Sequence, residues 1–216
     1  MILADCGSTW TKIYDTEDDS LEIIQTSELI GDKRRFDIAT GHSAVNRCDE
    51  FRNELIALAA GAGSMVNTSS YTVVDVGGRD IKLMSIDQDK IKKMDWNLAC
   101  GSTTGATIEL LGRYYGIDFS ELEASDKWIN VTCGVFGMEK VLEFVSSGGL
   151  PSEGVARFIH GLVRNVFDFA GRPDRLYLSG GFCENRCFLE TMEKYCEVIP
   201  LGRAVLVEGL RAGMKD

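Results

Sequence analysis

The same short pattern occurs twice in this chain: an aspartate, a glycine two residues later and a lysine seven residues after the aspartate. The residues are Asp5, Gly7 and Lys12 in the first copy and Asp75, Gly77 and Lys82 in the second. Each copy begins within a run of apolar, β-forming residues, which indicates a buried strand that enters a tight turn and returns. A hairpin that recurs in this way predicts a duplicated unit.

Both hairpins have the composition of a phosphate-binding turn. Glycine lets the backbone approach an anion, and successive N–H groups in a turn can cradle phosphate oxygens. A carboxylate at the strand end cannot bind phosphate, but it can hold Mg²⁺ through water. The pair therefore predicts the two sides of a nucleoside triphosphate site. The alternative is two ordinary β-hairpins whose glycines only make turns.

Composition excludes several classes of function. The 216 residues suffice for one compact protein or two small lobes. A net charge of −10 without a basic run disfavours nucleic-acid binding. The apolar run Met1–Ala4 is too short for a signal peptide core, and no run is long enough to span a membrane. We therefore expect a soluble, cytoplasmic protein with no membrane association.

The seven cysteines point away from a disulfide framework, because their number is odd and no export signal accompanies them. Cys100 and Cys133 each lie just before a predicted helix, where they could be metal ligands or simply small buried residues. We expect the others near the glycine turns and in the last third of the chain to be structural. These are Cys6, Cys183, Cys187 and Cys196.

Hydrophobic periodicity places several helices along the chain. A helix is predicted over 50–60, ended by Gly61, and another after Cys133 with Val135 and Val141 facing inward. The segment Pro151–Gly171 carries the clearest apolar stripe. A small-residue helix over 204–214 closes the chain.

A late strand ends in a pair of glycines. The strand Arg175–Ser179 runs into Gly180 and Gly181, and a helix is predicted from Glu184 onward. Glycines between a strand and a helix permit close approach of a flat ligand or a phosphate. Asn185 could then donate a hydrogen bond to a base or a ribose. A plain strand–helix turn is the alternative.

Together these motifs resemble the actin/hexokinase/Hsp70 superfamily of ATP-binding proteins, and within it the activators of 2-hydroxyacyl-CoA dehydratases and the ATPases of the benzoyl-CoA reductase type. The segment Asp75–Lys82 resembles their Asp-Ile-Gly-Gly-Gln-Asp-x-Lys, and Cys100–Gly105 with Glu109 resembles their Cys-Ala-Ala-Gly-Thr-Gly…Glu. Cys133–Gly137 resembles their Cys-Thr-Val-Phe-Ala, and Ser179–Asn185 their Thr-Gly-Gly-x-x-x-Asn. The four motifs occur in the family's order and span nearly the whole chain.

The resemblance implies an α/β protein with a two-lobed actin-like ATPase fold, also called ribonuclease H-like, built from duplicated strand–hairpin–helix units. We expect a first ATPase lobe over 1–70, against which the C-terminal helix of about 204–216 packs. The second lobe is expected over 71–203 and carries the cluster cysteines.

The resemblance also implies the cofactors and partners. We expect a homodimer that hydrolyses ATP to drive a low-potential electron from a [4Fe–4S] cluster to a partner dehydratase or reductase. Reduced ferredoxin or flavodoxin would be the electron donor. Cys100 and Cys133 of each subunit would hold the cluster, since a cubane needs four thiolates and a two-fold axis lets each chain supply two.

Roles for the remaining residues follow from this scheme. Asp5 and Asp75 would hold Mg²⁺ through water, and Asp80 would position the attacking water. The residues expected to bind the nucleotide are Gly7, Ser8, Thr9, Lys12, Gly77, Gly78, Arg79, Lys82, Gly180, Gly181 and Asn185.

The chain departs from the family pattern at several positions. Arg79 replaces a glutamine, Ser102 and Thr103 replace Ala-Gly, and Met138 and Lys140 stand where the family has two glutamates. Two other functions stay open at this stage. One is a small-molecule kinase of the same superfamily, and the other is an ATP-sensing module without a cluster.

Overall fold

In a computed structural model, residues 1–97 and 104–214 are described, and they form two compact units. The first comprises Met1–Ser69 with Leu201–Asp216, and the second comprises Ser70–Pro200. Each unit is built on a five-stranded sheet with helices, which confirms the predicted α/β class. The predictions for Cys100, Ser102 and Thr103 lie outside the described residues.

The described residues of the first unit form five strands and two α-helices. They are β1 (Ile2–Cys6), β2 (Trp10–Asp15), β3 (Ser20–Gln25), β4 (Phe36–Thr40), β5 (Cys48–Phe51), α1 (Glu54–Met65) and α6 (Val205–Ala212). The sheet order is β3-β2-β1-β4-β5, with β1, β2 and β3 antiparallel and β4 and β5 parallel to β1.

The helix predicted over 50–60 is wrong at both ends. Residues up to Phe51 belong to β5, and α1 begins at Glu54, where the Asn53 side chain accepts a hydrogen bond from the Leu55 amide. The helix then continues through Gly61, because α6 packs directly on that glycine. A Cβ atom at Gly61 would lie 1.9 Å from the Val205 carbonyl oxygen.

The described residues of the second unit form five strands and four α-helices. They are β6 (Tyr71–Val76), β7 (Ile81–Asp87), β8 (Lys90–Asn97), α2 (Thr104–Tyr115), α3 (Gly134–Ser146), α4 (Pro151–Phe169), β9 (Arg175–Gly180), α5 (Arg186–Met192) and β10 (Glu197–Gly202). The sheet order is β8-β7-β6-β9-β10, with β7 antiparallel and β9 parallel to β6.

Helix α4 lies at the centre of this unit's core, as its apolar stripe predicts, and Val155, Phe158 and Leu162 are fully buried. Helix α3 packs with most of the face predicted for it: Val141 is buried, and Met138 and Val145 lie partly buried against the core. Val135 is the exception, with 64% of it exposed. Gly137 lets α3 lie close to α4, since its Cβ position would be 2.4 Å from the Phe158 ring. Within the described residues, no helix is both long enough and apolar enough to cross a bilayer.

Candidate functional site

The hairpin of the second unit, β6 and β7 with their connecting turn, holds a compact group of charges. Asp75 lies opposite Lys82 in the register of the hairpin, and both side chains are buried. The Lys82 Nζ atom is 3.7 Å from Asp75 Oδ2 and donates a 2.7 Å hydrogen bond to Asp80 Oδ1. One buried ammonium is therefore shared between two carboxylates, which fixes the position of both.

Two further donors complete this group. The Ser179 hydroxyl, on β9, donates a 2.6 Å hydrogen bond to Asp75 Oδ1. The Trp96 indole, on β8, donates a 3.0 Å hydrogen bond to Asp80 Oδ2. The two carboxylates are thus held from neighbouring strands on both sides of the hairpin. Trp96 is not among the residues that the sequence predicts for the site, because a tryptophan in a strand is usually a packing residue.

The hairpin of the first unit, β1 and β2, repeats the central pair. Asp5 lies opposite Lys12, and the Lys12 Nζ atom donates a 2.8 Å hydrogen bond to Asp5 Oδ2. The turn between them is held by Thr26, whose hydroxyl donates to the Gly7 carbonyl at 2.8 Å. Ser8, at the tip of the turn, is exposed. The backbone around Gly7 is therefore ordered and faces solvent.

A second pair of equivalent positions lies at the ends of the neighbouring parallel strands. Thr40 ends β4 opposite Asp5, and Ser179 precedes the end of β9 opposite Asp75. Each is followed by a glycine with a positive φ angle, +96° at Gly41 and +98° at Gly180. The sequence predicts the late glycine, Gly180, as part of the nucleotide site, but it does not predict the early one, Gly41. A hydroxyl residue and a glycine after a buried strand were the available signal.

These two glycines are required by close backbone contacts. A Cβ atom at Gly41 would lie 2.4 Å from the Cys6 carbonyl oxygen, and one at Gly180 would lie 2.6 Å from the Val76 carbonyl oxygen. In both units the glycine thus lets the parallel strand pass directly beside the end of the hairpin's first strand. Gly181, by contrast, faces open space.

The turn of the second hairpin also contacts the first turn of α2. The Ala106 amide donates a 2.9 Å hydrogen bond to the Gly78 carbonyl. A Cβ atom at Gly105 would lie 2.5 Å from the Gly77 carbonyl oxygen, so only glycine allows this approach. The glycine turn and the start of α2 therefore form one packed element.

Asn185 has a structural role that the sequence did not predict. Its side-chain oxygen accepts a hydrogen bond from the Phe188 amide and caps α5, which begins at Arg186 rather than at Glu184. The cap fixes the amide plane of Asn185 beside Gly181. The side-chain NH₂ group is the part of this residue that can still donate to a ligand.

Cys133 is the residue directly before α3, and it is partly exposed. The segment before it is tied to α4, because the Asn165 amide donates a 2.7 Å hydrogen bond to the Val131 carbonyl. A thiol at a helix N-terminus experiences a partial positive charge, which favours the thiolate form that metals bind. Within residues 1–97 and 104–214, no three His, Cys, Asp or Glu side chains converge on a common metal position.

Two curated proteins are similar to this chain in sequence. The (R)-2-hydroxyglutaryl-CoA dehydratase activating ATPase of Acidaminococcus fermentans is 24% identical over 176 residues, which are 76% of this chain and 67% of that protein. The activator of lactoyl-CoA dehydratase of Anaerotignum propionicum is 30% identical over 123 residues, 52% of this chain and 47% of that protein. No protein-family profile matches the chain.

The fold has close solved counterparts. The activator of the 2-hydroxyisocaproyl-CoA dehydratase from Clostridium difficile, solved with bound ADPNP, superposes with a TM-score of 0.74 at 22% identity. The superposition covers 100% of this chain and 97% of that one. The predicted actin-like ATPase fold is thereby confirmed.

Proposed function

Because this chain is homologous to the activating ATPases of 2-hydroxyacyl-CoA dehydratases and has their fold, we propose that it is an ATP-dependent reductive activator. It hydrolyses ATP to drive a low-potential electron to a partner dehydratase or reductase. The observation that carries this proposal is the contact between the Gly77–Gly78 turn and the start of α2. That contact joins a phosphate-binding turn to the helix that follows the Cys100 motif.

Each hairpin carries groups that bind phosphate oxygens in this proposal. Backbone N–H groups around Gly7 and Gly78 bind the phosphate oxygens, with Ser8, Thr9, Lys12, Arg79 and Lys82 adding donors and positive charge. The second-unit residues Gly180, Gly181 and Asn185 face the adenosine. Phosphoryl transfer is catalysed mainly by positioning and by neutralising charge, which are the properties of these groups.

Mg²⁺, held through water, fits the chemistry of each strand-end carboxylate. Asp5 and Asp75 are buried behind glycine turns, and each is held in place by one lysine. Beside Asp5, the buried Thr40 hydroxyl has no hydrogen-bond partner within the described part of the chain. An unpaired buried hydroxyl is costly unless something occupies the position next to it, and a metal-bound water would do so. The metal supplies positive charge to the phosphates when bound.

The [4Fe–4S] cluster fits the cysteine motifs in number and in setting. Cys133 is partly exposed at a helix start, and Cys100 lies before α2 in the sequence. Two such chains related by a two-fold axis supply the four thiolates that a cubane requires. The cluster supplies one-electron redox chemistry when bound. Reduced ferredoxin or flavodoxin is the electron donor in this proposal, and the activator is a homodimer.

The step from nucleotide to cluster runs through this chain's own elements. Phosphate bound at the Gly77–Gly78 turn would act on the start of α2 through the Ala106–Gly78 hydrogen bond. Helix α2 follows the Cys100 motif in the sequence, and Cys100 with Cys133 would hold the cluster. The exposure of a cluster sets its potential and its reach to a partner.

The decisive measurement is iron and acid-labile sulfide after strictly anaerobic purification. We expect about four of each per dimer. Cys133→Ala should lose them, whereas Cys48→Ala, which changes another partly exposed thiol, should retain them. An iron-free wild-type protein that binds ATP would refute the activator and favour the sensor. Phosphate transfer to an added small molecule would favour the kinase instead.

Asp80→Asn tests the catalytic role within the same proposal. The amide keeps the shape of the side chain but cannot orient water as a carboxylate does. ATP binding should persist within about twofold, while turnover falls about 100-fold. Unchanged ATPase activity would exclude Asp80 from the reaction.

A further inference from the structure

The Trp96–Asp80 hydrogen bond belongs to the second unit alone. Trp96 lies on β8 directly opposite Lys82, which in turn lies opposite Asp75 on β6. In the first unit the position opposite Lys12 is occupied by Ile23, which has no side-chain donor. The third strand of each unit, β3 or β8, therefore presents a different side chain opposite the lysine of the hairpin.

The surroundings of Asp80 leave it little freedom to rotate. Its Oδ1 atom accepts from Lys82 at 2.7 Å and its Oδ2 atom accepts from Trp96 at 3.0 Å. Asp80 is 8% exposed, and the Lys82 Nζ atom lies 5.1 Å from the centre of the Trp96 ring. The indole therefore holds the carboxylate through Oδ2 and also packs against the cation that holds Oδ1.

We propose that Trp96 is a positioning residue for Asp80: its indole N–H fixes the carboxylate that orients the attacking water. This proposal rests on the proposed ATPase function. An indole N–H can only donate a hydrogen bond and does not titrate near neutral pH. It therefore orients a carboxylate without exchanging a proton with it. Each carboxylate oxygen has further lone pairs for the water.

Trp96→Phe removes the N–H and keeps an aromatic ring beside Lys82. We expect kcat for ATP hydrolysis to fall about tenfold, because a hydrogen bond to a charged group is lost, while KM stays within about twofold. Trp128→Phe is the matched control. Its indole N–H donates to the Asn130 side chain at 3.0 Å, away from Asp80, so kcat should not change. An unchanged kcat in Trp96→Phe would overturn the positioning role.

A second readout does not depend on turnover. The chain has three tryptophans, so its ¹H–¹⁵N spectrum contains three indole N–H signals, which single Trp→Phe variants assign. Asp80→Asn should shift the Trp96 signal, because a charged acceptor is replaced by a neutral one, and should leave the Trp128 signal in place. Addition of Mg²⁺ and ATP should also move the Trp96 signal. A Trp96 signal that stays in place both in Asp80→Asn and on addition of Mg²⁺ and ATP would overturn the proposal.

The two hypotheses fail in different ways. A wild-type protein without ATPase activity refutes the proposed function but leaves the hydrogen-bond test intact. An active wild-type protein with an equally active Trp96→Phe variant refutes the positioning role alone.

Discussion

The two hairpins have the same backbone arrangement, but the side chains around their aspartates make different contacts. Both place an aspartate opposite a lysine, and both pass a positive-φ glycine beside the end of their first strand. In the first unit, Lys12 forms an ion pair with Asp5. In the second unit, Lys82 forms ion pairs with both Asp75 and Asp80. Ser179 donates a further hydrogen bond to Asp75, and Trp96 donates one to Asp80. The two hairpins thus share the aspartate–lysine pair and the glycine beside it, while the second hairpin adds a second carboxylate, Asp80, on the same lysine.

The lysines provide the largest test of this difference. Lys82→Met leaves two buried carboxylates without their cation and should lower the free energy of unfolding by about 3–5 kcal/mol. Lys12→Met leaves one carboxylate and should cost less, about 2 kcal/mol. Urea unfolding without nucleotide measures both.

The control for the lysines is Lys92→Met. Lys92 is exposed and forms a 3.2 Å ion pair with Asp87, so its loss should cost less than about 1 kcal/mol. Equal losses for Lys12 and Lys82 would contradict the view that the second hairpin holds the more strongly coupled charges.

The glycines test what the two units have in common. Gly41→Ala and Gly180→Ala each combine a positive φ with a backbone clash, and each should cost about 2–4 kcal/mol. Gly31→Ala and Gly171→Ala have φ angles of +81° and +82° with nothing within 4 Å. These controls should cost only about 1 kcal/mol in thermal unfolding. A target and its control with the same midpoint would show that the strand approach does not require glycine.

The hydroxyl groups of Thr40 and Ser179, at the ends of the parallel strands, differ between the two units in their hydrogen bonding. Ser179→Ala removes a hydrogen bond to Asp75 and should cost about 1–3 kcal/mol. Thr40→Val should cost nothing without ligand, because its hydroxyl has no partner within the described residues. The valine should, however, reduce the thermal stabilisation by Mg²⁺ and ATP if Thr40 contacts a metal-bound water. A large loss of stability in Thr40→Val without ligand would contradict this assignment.

Buried thiols give the smallest effect, and it should be alike in both units. Burial raises the pKa of Cys6 and of Cys187 from 9.0 to about 12. Between these values the unfolded chain releases a proton that the folded chain keeps, so stability falls as pH rises from about 9 toward 12. The effect is about 1 kcal/mol per thiol at pH 10 and absent below pH 8. Cys6→Ala and Cys187→Ala should each flatten this slope in urea titrations, and an unchanged slope would show that the thiol does not contribute.

Much of the fold could be predicted because its signals are local. The apolar runs before Asp5 and Asp75 predict strands, and the stripe on Pro151–Phe169 predicts the buried helix, because these patterns depend on neighbours close in sequence. The end of α1 could not be predicted. Gly61 would stop an isolated helix, but here it admits α6, which lies far away in the sequence.

The candidate site divides in the same way. The glycine turns and the lysines could be found from spacing, and their roles in binding stay predictions. Trp96 and Thr40 could not be found from the sequence. Trp96 is of interest because of its hydrogen bond to Asp80, and Thr40 because its buried hydroxyl has no hydrogen-bond partner among the described residues. Trp96 becomes interesting only when Asp80 is seen within hydrogen-bond distance, and Thr40 only when it is seen opposite Asp5.

By itself, the sequence determined that this chain repeats a strand–turn–strand unit with acidic strand ends, since chain geometry and glycine chemistry act within a few residues. Its motifs also determined the family that it resembles. Only the tertiary structure decided which donors reach each carboxylate, because Ser179 and Trp96 come to Asp75 and Asp80 from other strands. Hydrogen bonds depend on distances between side chains, and those distances are set when the sheet assembles.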